Sequence, residues 1–174
     1  TGSELVAPGT PLQHGQTPDT NGDLLAGLAR AAGADVVSVE RVSDDPTLLR
    51  EALDQALALG LDAICFSGGV SAGAFEVVRN TLEDSEEMTF TKVAMQPGKP
   101  QGFSVHSSGC LLFGLPGNPV SSAVSFETFV RPALLAMQGR TSLSRPRLRL
   151  HASQGWDSPA GREQHVPVVI DRSD

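Results

Sequence analysis

Apolar positions change period several times along this chain, and each change marks an element. Over residues 20–32, Leu24, Leu25 and Leu28 recur at helical spacing. Thr20 or Asn21 can cap that helix, and Gly33 stops it. The run VVSVERV at 36–42 is rich in β-branched residues and reads as a strand. Asp44-Asp45-Pro46 then opens a second amphipathic helix carrying Leu48, Leu49, Leu53 and Leu57, closed by Gly60. A short apolar strand at 62–67 leads through Gly68, Gly69, Val70, Ser71, Ala72 and Gly73 into a third helical pattern, FEVVRNTL.

Beyond Glu87 the period shortens. MTFTKVAM, GFSV and CLLFGL read as strands, joined by turns at Gln96-Pro97-Gly98-Lys99-Pro100 and Ser107-Ser108-Gly109. PGNP at 116–119 ends the last strand, and Asn118 as cap with Pro119 behind it starts a long apolar helix that Pro132 should kink or split. Residues 140–146 are linker-like. RLRLHAS and EQHVPVVI, on either side of a Gly/Pro turn, suggest a β-hairpin opening a second, small β module over 147–174. The alternation of strands and helices predicts a mostly parallel, three-layer α/β domain over residues 1–139, with any ligand at the carboxyl ends of its strands.

Composition narrows the class. The chain has 174 residues, 13 Lys plus Arg against 20 Asp plus Glu, and 40% hydrophobic residues, the profile of an ordinary globular protein. A net charge of −7 argues against nucleic acid as a partner, whereas a small anion needs only a local positive site. No apolar run approaches about 18 residues, so no membrane span is expected. Cys65 and Cys110 lie in separate apolar runs and are expected in the core, and His14, His106, His151 and His165 lack metal-site spacing. Lys92 and Lys99 are the chain's two lysines, and one short stretch holds both.

Three motifs carry candidate chemistry. SGGVSAG at 67–73 joins a strand to a helix start, where backbone N–H groups and the helix dipole can hold a phosphate. It has neither the Gly-Lys-Ser/Thr ending of a P-loop nor the spacing of a dinucleotide fold. QPGKP fixes a cation beside a rigid turn, and PGNPVSS sets Ser121 and Ser122 at another helix start. Taken singly, these are a tight turn, a solvated lysine and a capped helix; together they favour an anionic ligand. Glu4, Asp19, Asp44, Asp45 and Glu76 stand at loop positions, where carboxylates either cap helices or hold Mg²⁺ beside a phosphate.

TGSEL at 1–5, PDTNG at 18–22, Asp44-Asp45, SGGVSAG with Glu76, MQPGKP at 95–100 and LPGNPVSS at 115–122 together resemble the molybdopterin molybdenumtransferases, the bacterial relatives of the gephyrin E domain. The resemblance covers about residues 1–140. It implies the molybdopterin-binding fold shared with molybdopterin adenylyltransferases, and a reaction in which molybdate enters adenylylated molybdopterin, AMP leaves and a divalent metal, Mg²⁺, assists. By the same resemblance Ser67, Gly68, Gly69, Ser71, Gly73, Pro97 and Gly98 would hold phosphate or nucleotide, and Asn118 and Ser121 would line the pocket. Glu4, Asp44, Asp45 and Glu76 would manage the metal. Lys92 and Lys99 would neutralise oxyanions, forming with Asp45 and Glu76 the catalytic set.

The same likeness implies a cytoplasmic homodimer with a small anionic pterin nucleotide as ligand and an adenylyltransferase as a candidate partner. Glu76 and Gln96 stand where many relatives carry Asp and Lys. In the family TGSEL follows the first strand of the domain, so the chain is expected to start after that strand, and to be poorly stable and inactive in isolation. Two other readings remain: an ATP-using molybdopterin adenylyltransferase, and a non-catalytic module that binds pterin or a protein partner.

Overall fold

The computed structural model describes residues 1–71, 76–84 and 87–171. Its principal sheet has four strands, β3 (Ala63–Ser67), β4 (Thr89–Lys92), β6 (Pro100–Val105) and β7 (Leu111–Leu115), in the order β3-β7-β6-β4. β3 and β7 run parallel, with Ala63 opposite Leu111 and Ser67 opposite Leu115, whereas β7–β6 and β6–β4 are antiparallel. The sheet is therefore mixed rather than mostly parallel, because MTFTKVAM and GFSV return through tight turns with no crossover helix between them. Two short pairings lie outside it: β1 (Leu5–Val6) with β2 (Thr17–Pro18), and β5 (Met95–Gln96) with β8 (Glu163–Gln164).

The helices form where capping chemistry and apolar spacing coincide. In α1 (Asn21–Ala31) Thr20 holds the cap position without a side-chain bond; the carboxylate of Asp19 instead accepts from the N–H groups of Asn21 and Gly22, both at 3.1 Å. In α2 (Pro46–Ala58) Asp45 Oδ1 accepts from Thr47 N at 2.7 Å and Leu48 N at 3.2 Å. Following α3 (Val77–Asp84), the last helical stretch begins at α4 (Pro119–Ser125), with Asn118 Oδ1 accepting from Ser121 N at 3.1 Å. It continues through a π-helical turn over Phe126–Val130 into α5 (Arg131–Met137). The expected kink or split at Pro132 thus takes the form of a π-helical turn ahead of α5, which carries Pro132 in its first turn: the N–H of Arg131 reaches Phe126 O, and the wider turn makes room for the ring.

Alternation along β7 divides the core into two. Leu112 joins Leu49 and Leu53 of α2, Val77, Val78 and Leu82 of α3, and Phe66 on one face of the sheet. Phe113 and Leu115 point to the other face and pack with Phe126, Val130 and the partly buried Leu25 and Leu28 of α1. Two helical layers around one sheet make the three-layer α/β architecture.

Two expected strand regions do not pair. Residues 36–42 form no ladder among the described residues, and Val37 and Val39 are exposed. Their β-branched composition has no neighbouring strand to bond, and β3 ends the sheet on that side. The expected hairpin over RLRLHAS and EQHVPVVI is also absent: residues 147–153 carry no strand, and within the second segment only Glu163–Gln164 pairs, with β5. Two strands without a packed face are marginal in water, and here Leu148, Leu150, Val168 and Val169 lie exposed. Cys65 likewise departs from expectation, since it faces an open cleft while Cys110 is buried. Desolvation by the side chains packed around it, with a smaller contribution from Cys110, pushes the Cys65 thiol pKa up to about 12.

Candidate anion-binding site

Three loops meet at the carboxyl ends of β3 and β7. The loop after β3 turns sharply at Gly68 and Gly69, whose φ angles are +85° and +67°. A Cβ on Gly68 would lie 2.7 Å from the carbonyl oxygen of Thr1, so only glycine lets the amino-terminal loop approach this closely. From the other side Gly117 packs against Gly68, and Gly68 N donates to Leu115 O at 3.0 Å. Asn21, the first residue of α1, links the loops: its Nδ2 donates to Ser67 Oγ at 2.7 Å and to Gly117 O at 2.6 Å. Ser122 extends this contact, standing 3.3 Å from Ser67 Oγ and donating to Pro116 O.

These loops border a cleft of about 1440 Å³ whose wall includes Glu4, Asp44, Ser67, Gly68, Gly69, Ser71, Glu76 and Ser121. The structure therefore brings together the expected glycine loop, both loop serines, Ser121 and three of the four acids. Glu76 accepts from Ser71 N at 2.9 Å, and Asp44 Oδ2 accepts from Ser3 N at 3.0 Å. Among the described residues no acceptor meets the N–H of Gly69 or Val70, which leaves donors at the turn where an oxyanion would sit. Gly73 lies outside the described residues.

Other expected residues stand apart from that wall. Asp45 is committed to capping α2, and Asn118 to capping α4. Lys92 lies in β4 opposite Pro100, and Lys99 is exposed in the turn. Pro97 and Gly98 belong to the same turn, which is fixed from beneath: the buried Gln101 Nε2 donates to Gly98 O and to Ser125 Oγ, each at 2.6 Å. The Pro100 end of this turn reaches the cleft. Gln96 accepts from Arg162 Nη1 at 3.1 Å, which brings a guanidinium beside this turn.

Asn21, expected only as a possible helix cap, and Gln101 and Arg162 are residues whose contacts the sequence reading did not foresee. PDTNG at a helix start was the available signal for Asn21. Nothing local could flag Gln101 or Arg162, whose partners come from distant segments.

The electrostatics of the cleft mouth are acidic. The amino group of Thr1 donates to Ser67 O at 2.6 Å, and burial lowers its pKa despite the opposing pull of Asp19, Asp44 and Glu4. Asp19 is nearly buried and pairs with Arg41 at 3.2 Å. Among the described residues no three metal-ligating side chains gather, and Asp44 and Asp45 already accept backbone N–H groups. Among the described residues the acids thus form no ready cage for Mg²⁺.

Residues 1–136 match the family model described as "Probable molybdopterin binding domain". The chain belongs to that family. It is 42% identical over 177 residues to molybdopterin molybdenumtransferase 2 of Mycobacterium tuberculosis, a match covering 98% of this chain and 43% of that protein. Similarity to the molybdopterin molybdenumtransferase of Haemophilus influenzae is 35% over 146 residues, covering 84% of this chain and 36% of that one. The chain thus spans less than half the length of the curated relatives it matches. Among solved structures it superposes on a molybdopterin biosynthesis moeA protein from Pyrococcus horikosii with a TM-score of 0.68 at 32% identity, covering 81% of this chain and 34% of that one. A molybdopterin biosynthesis protein from Mycobacterium abscessus shares the fold at TM-score 0.57 and 16% identity, over 71% of this chain and 85% of that one.

Proposed function

We propose that this chain is the pterin-binding part of a molybdopterin molybdenumtransferase and acts in molybdenum cofactor biosynthesis. The carrying observation is the junction of three loops by Asn21 at the ends of β3 and β7, in a chain of the molybdopterin-binding family. The phosphate of adenylylated molybdopterin would rest against the Gly69 and Val70 amides, with Ser67, Ser71 and Ser121 as hydroxyl donors. Lys99, on a turn held by Gln101, and Lys92 would bring positive charge to molybdate or to the departing AMP. They would act as electrostatic stabilisers and not as nucleophiles.

The names of the mycobacterial and Haemophilus relatives support transferase chemistry over the adenylyltransferase alternative. The test is to supply the full-length protein with adenylylated molybdopterin and molybdate. Molybdate-dependent AMP release, reduced and made salt-sensitive by Lys99→Ala, is the expected result. A requirement for ATP and free molybdopterin would establish the adenylyltransferase, and ligand binding without turnover would establish a binding module.

A further inference from the structure

Burying a polar side chain costs free energy unless its hydrogen bonds are made, so the places where such groups collect are informative. The described residues bury four polar or charged side chains, Asp19, Gln101, Ser122 and Ser125. Asp19 and Ser122 lie at the loop junction, and Gln101 and Ser125 lie behind the turn that carries Lys99.

Gln101 stands in β6 opposite Thr91 and directs both Nε2 hydrogens inward, one to Gly98 O and one to Ser125 Oγ. Gly98 has a φ of +101°, and a Cβ there would lie 3.0 Å from Ser125 Oγ, so the turn rests directly on α4. On the far side Val93 N donates to Lys99 O at 2.8 Å. The backbone is thus held on both sides of Lys99, while Lys99 itself is exposed and meets no carboxylate among the described residues. An ammonium on a flexible stem with no partner of its own reaches only where its backbone is anchored. Ser125 is also the helical neighbour of Ser122, whose hydroxyl stands 3.3 Å from Ser67 Oγ at the glycine loop. One helix therefore carries the anchors of both loops.

We propose that Gln101 and Ser125 are positioning residues for Lys99: by tying its turn to α4 they set the distance between the ammonium and an anion at the Gly69 and Val70 amides. The inference rests on the reading of Lys99 as an anion-binding cation. An apolar side chain at 101 could fill the same space, but it offers Gly98 O and Ser125 Oγ no donor. An amide that served stability alone would matter equally with or without Lys99.

The test is a double-mutant cycle in the full-length protein, with molybdate affinity read by calorimetry and folding by the unfolding midpoint. Lys99→Ala should weaken molybdate binding about tenfold and Gln101→Leu about threefold or more, and the double variant should bind no more weakly than Lys99→Ala alone. Gln101→Leu should also flatten the salt dependence of binding toward that of Lys99→Ala, which a loss of stability would not do. Losses that multiply in the double variant would overturn the inference and leave the role of the lysine standing, as would an unchanged affinity in Gln101→Leu. Unchanged affinity in Lys99→Ala, or no measurable molybdate binding, would overturn the reading of the lysine and this inference with it. If Gln101→Leu does not fold, Ser125→Ala, which removes one acceptor and little volume, takes its place in the cycle and is judged by the same outcomes.

Discussion

β3 and β7 are both five-residue apolar strands that end in glycine-containing turns and run side by side, yet their surroundings differ. β7 has a strand on each side and buries Leu112, Phe113 and Leu115. Among the described residues β3 has one neighbour, and its Cys65 faces the open cleft. Strand composition sets what a segment can do; the number of partners sets how much of it leaves water.

That difference can be broken most sharply in the core. Leu112→Ala should cost about 2–5 kcal/mol in chemical denaturation, because the side chain is enclosed by α2, α3 and the sheet. Ile64→Ala, on the half-buried strand, should cost only about 1 kcal/mol. Equal losses would mean that β3 is as well packed as β7.

At the junction of the two strand ends, Asn21→Ala leaves Ser67 Oγ and Gly117 O without their amide donor. It should lower stability by about 1–3 kcal/mol and weaken inorganic phosphate binding measured by calorimetry. Val37→Ser on the cleft wall should change stability by no more than about 0.5 kcal/mol.

The smallest effect lies away from both strands. Arg145 bonds the Glu127 carboxylate at 2.8 and 3.1 Å, and this contact, against some desolvation, holds the Glu127 pKa below its ordinary value of 4.5. A carboxyl depressed in the folded state contributes stability above its unfolded pKa and loses it as pH falls through the folded one. Arg145→Ala should therefore lower the unfolding midpoint slightly at neutral pH and leave it unchanged well below pH 4. A loss that persists in acid would mark a packing role for the arginine stem instead.

The same contrast explains what the sequence could disclose. α2 was legible because Asp45, Pro46 and the leucine spacing all act within one helix. The SGGV and PGNP turns were legible because glycine and proline constrain the backbone locally. VVSVERV carries the composition of a strand, but a ladder is a property of two segments, and no composition supplies the second. RLRLHAS failed for the same reason. Asn21 binds partners 46 and 96 positions away, and Gln101 reaches Ser125, so their roles emerge only when distant segments meet. The lysines were conspicuous by rarity, a signal that says nothing of which wall of the fold they reach.

The π-helical turn at Phe126–Val130 bears on how the last helix can be compared with others. Each α-helical residue rotates the side-chain direction by about 100°, so in an uninterrupted helix Leu135 would point about 180° away from Phe126. Both are buried, at 2% and 1% exposure. One extra residue in a turn shifts everything after it back by about 100° and returns Leu135 to the side of Phe126. Deleting a single residue within 126–130 would therefore let a regular α-helical turn replace the wider one and leave α5 seated as it is, whereas tightening that turn with no residue removed would rotate all of α5 against the sheet.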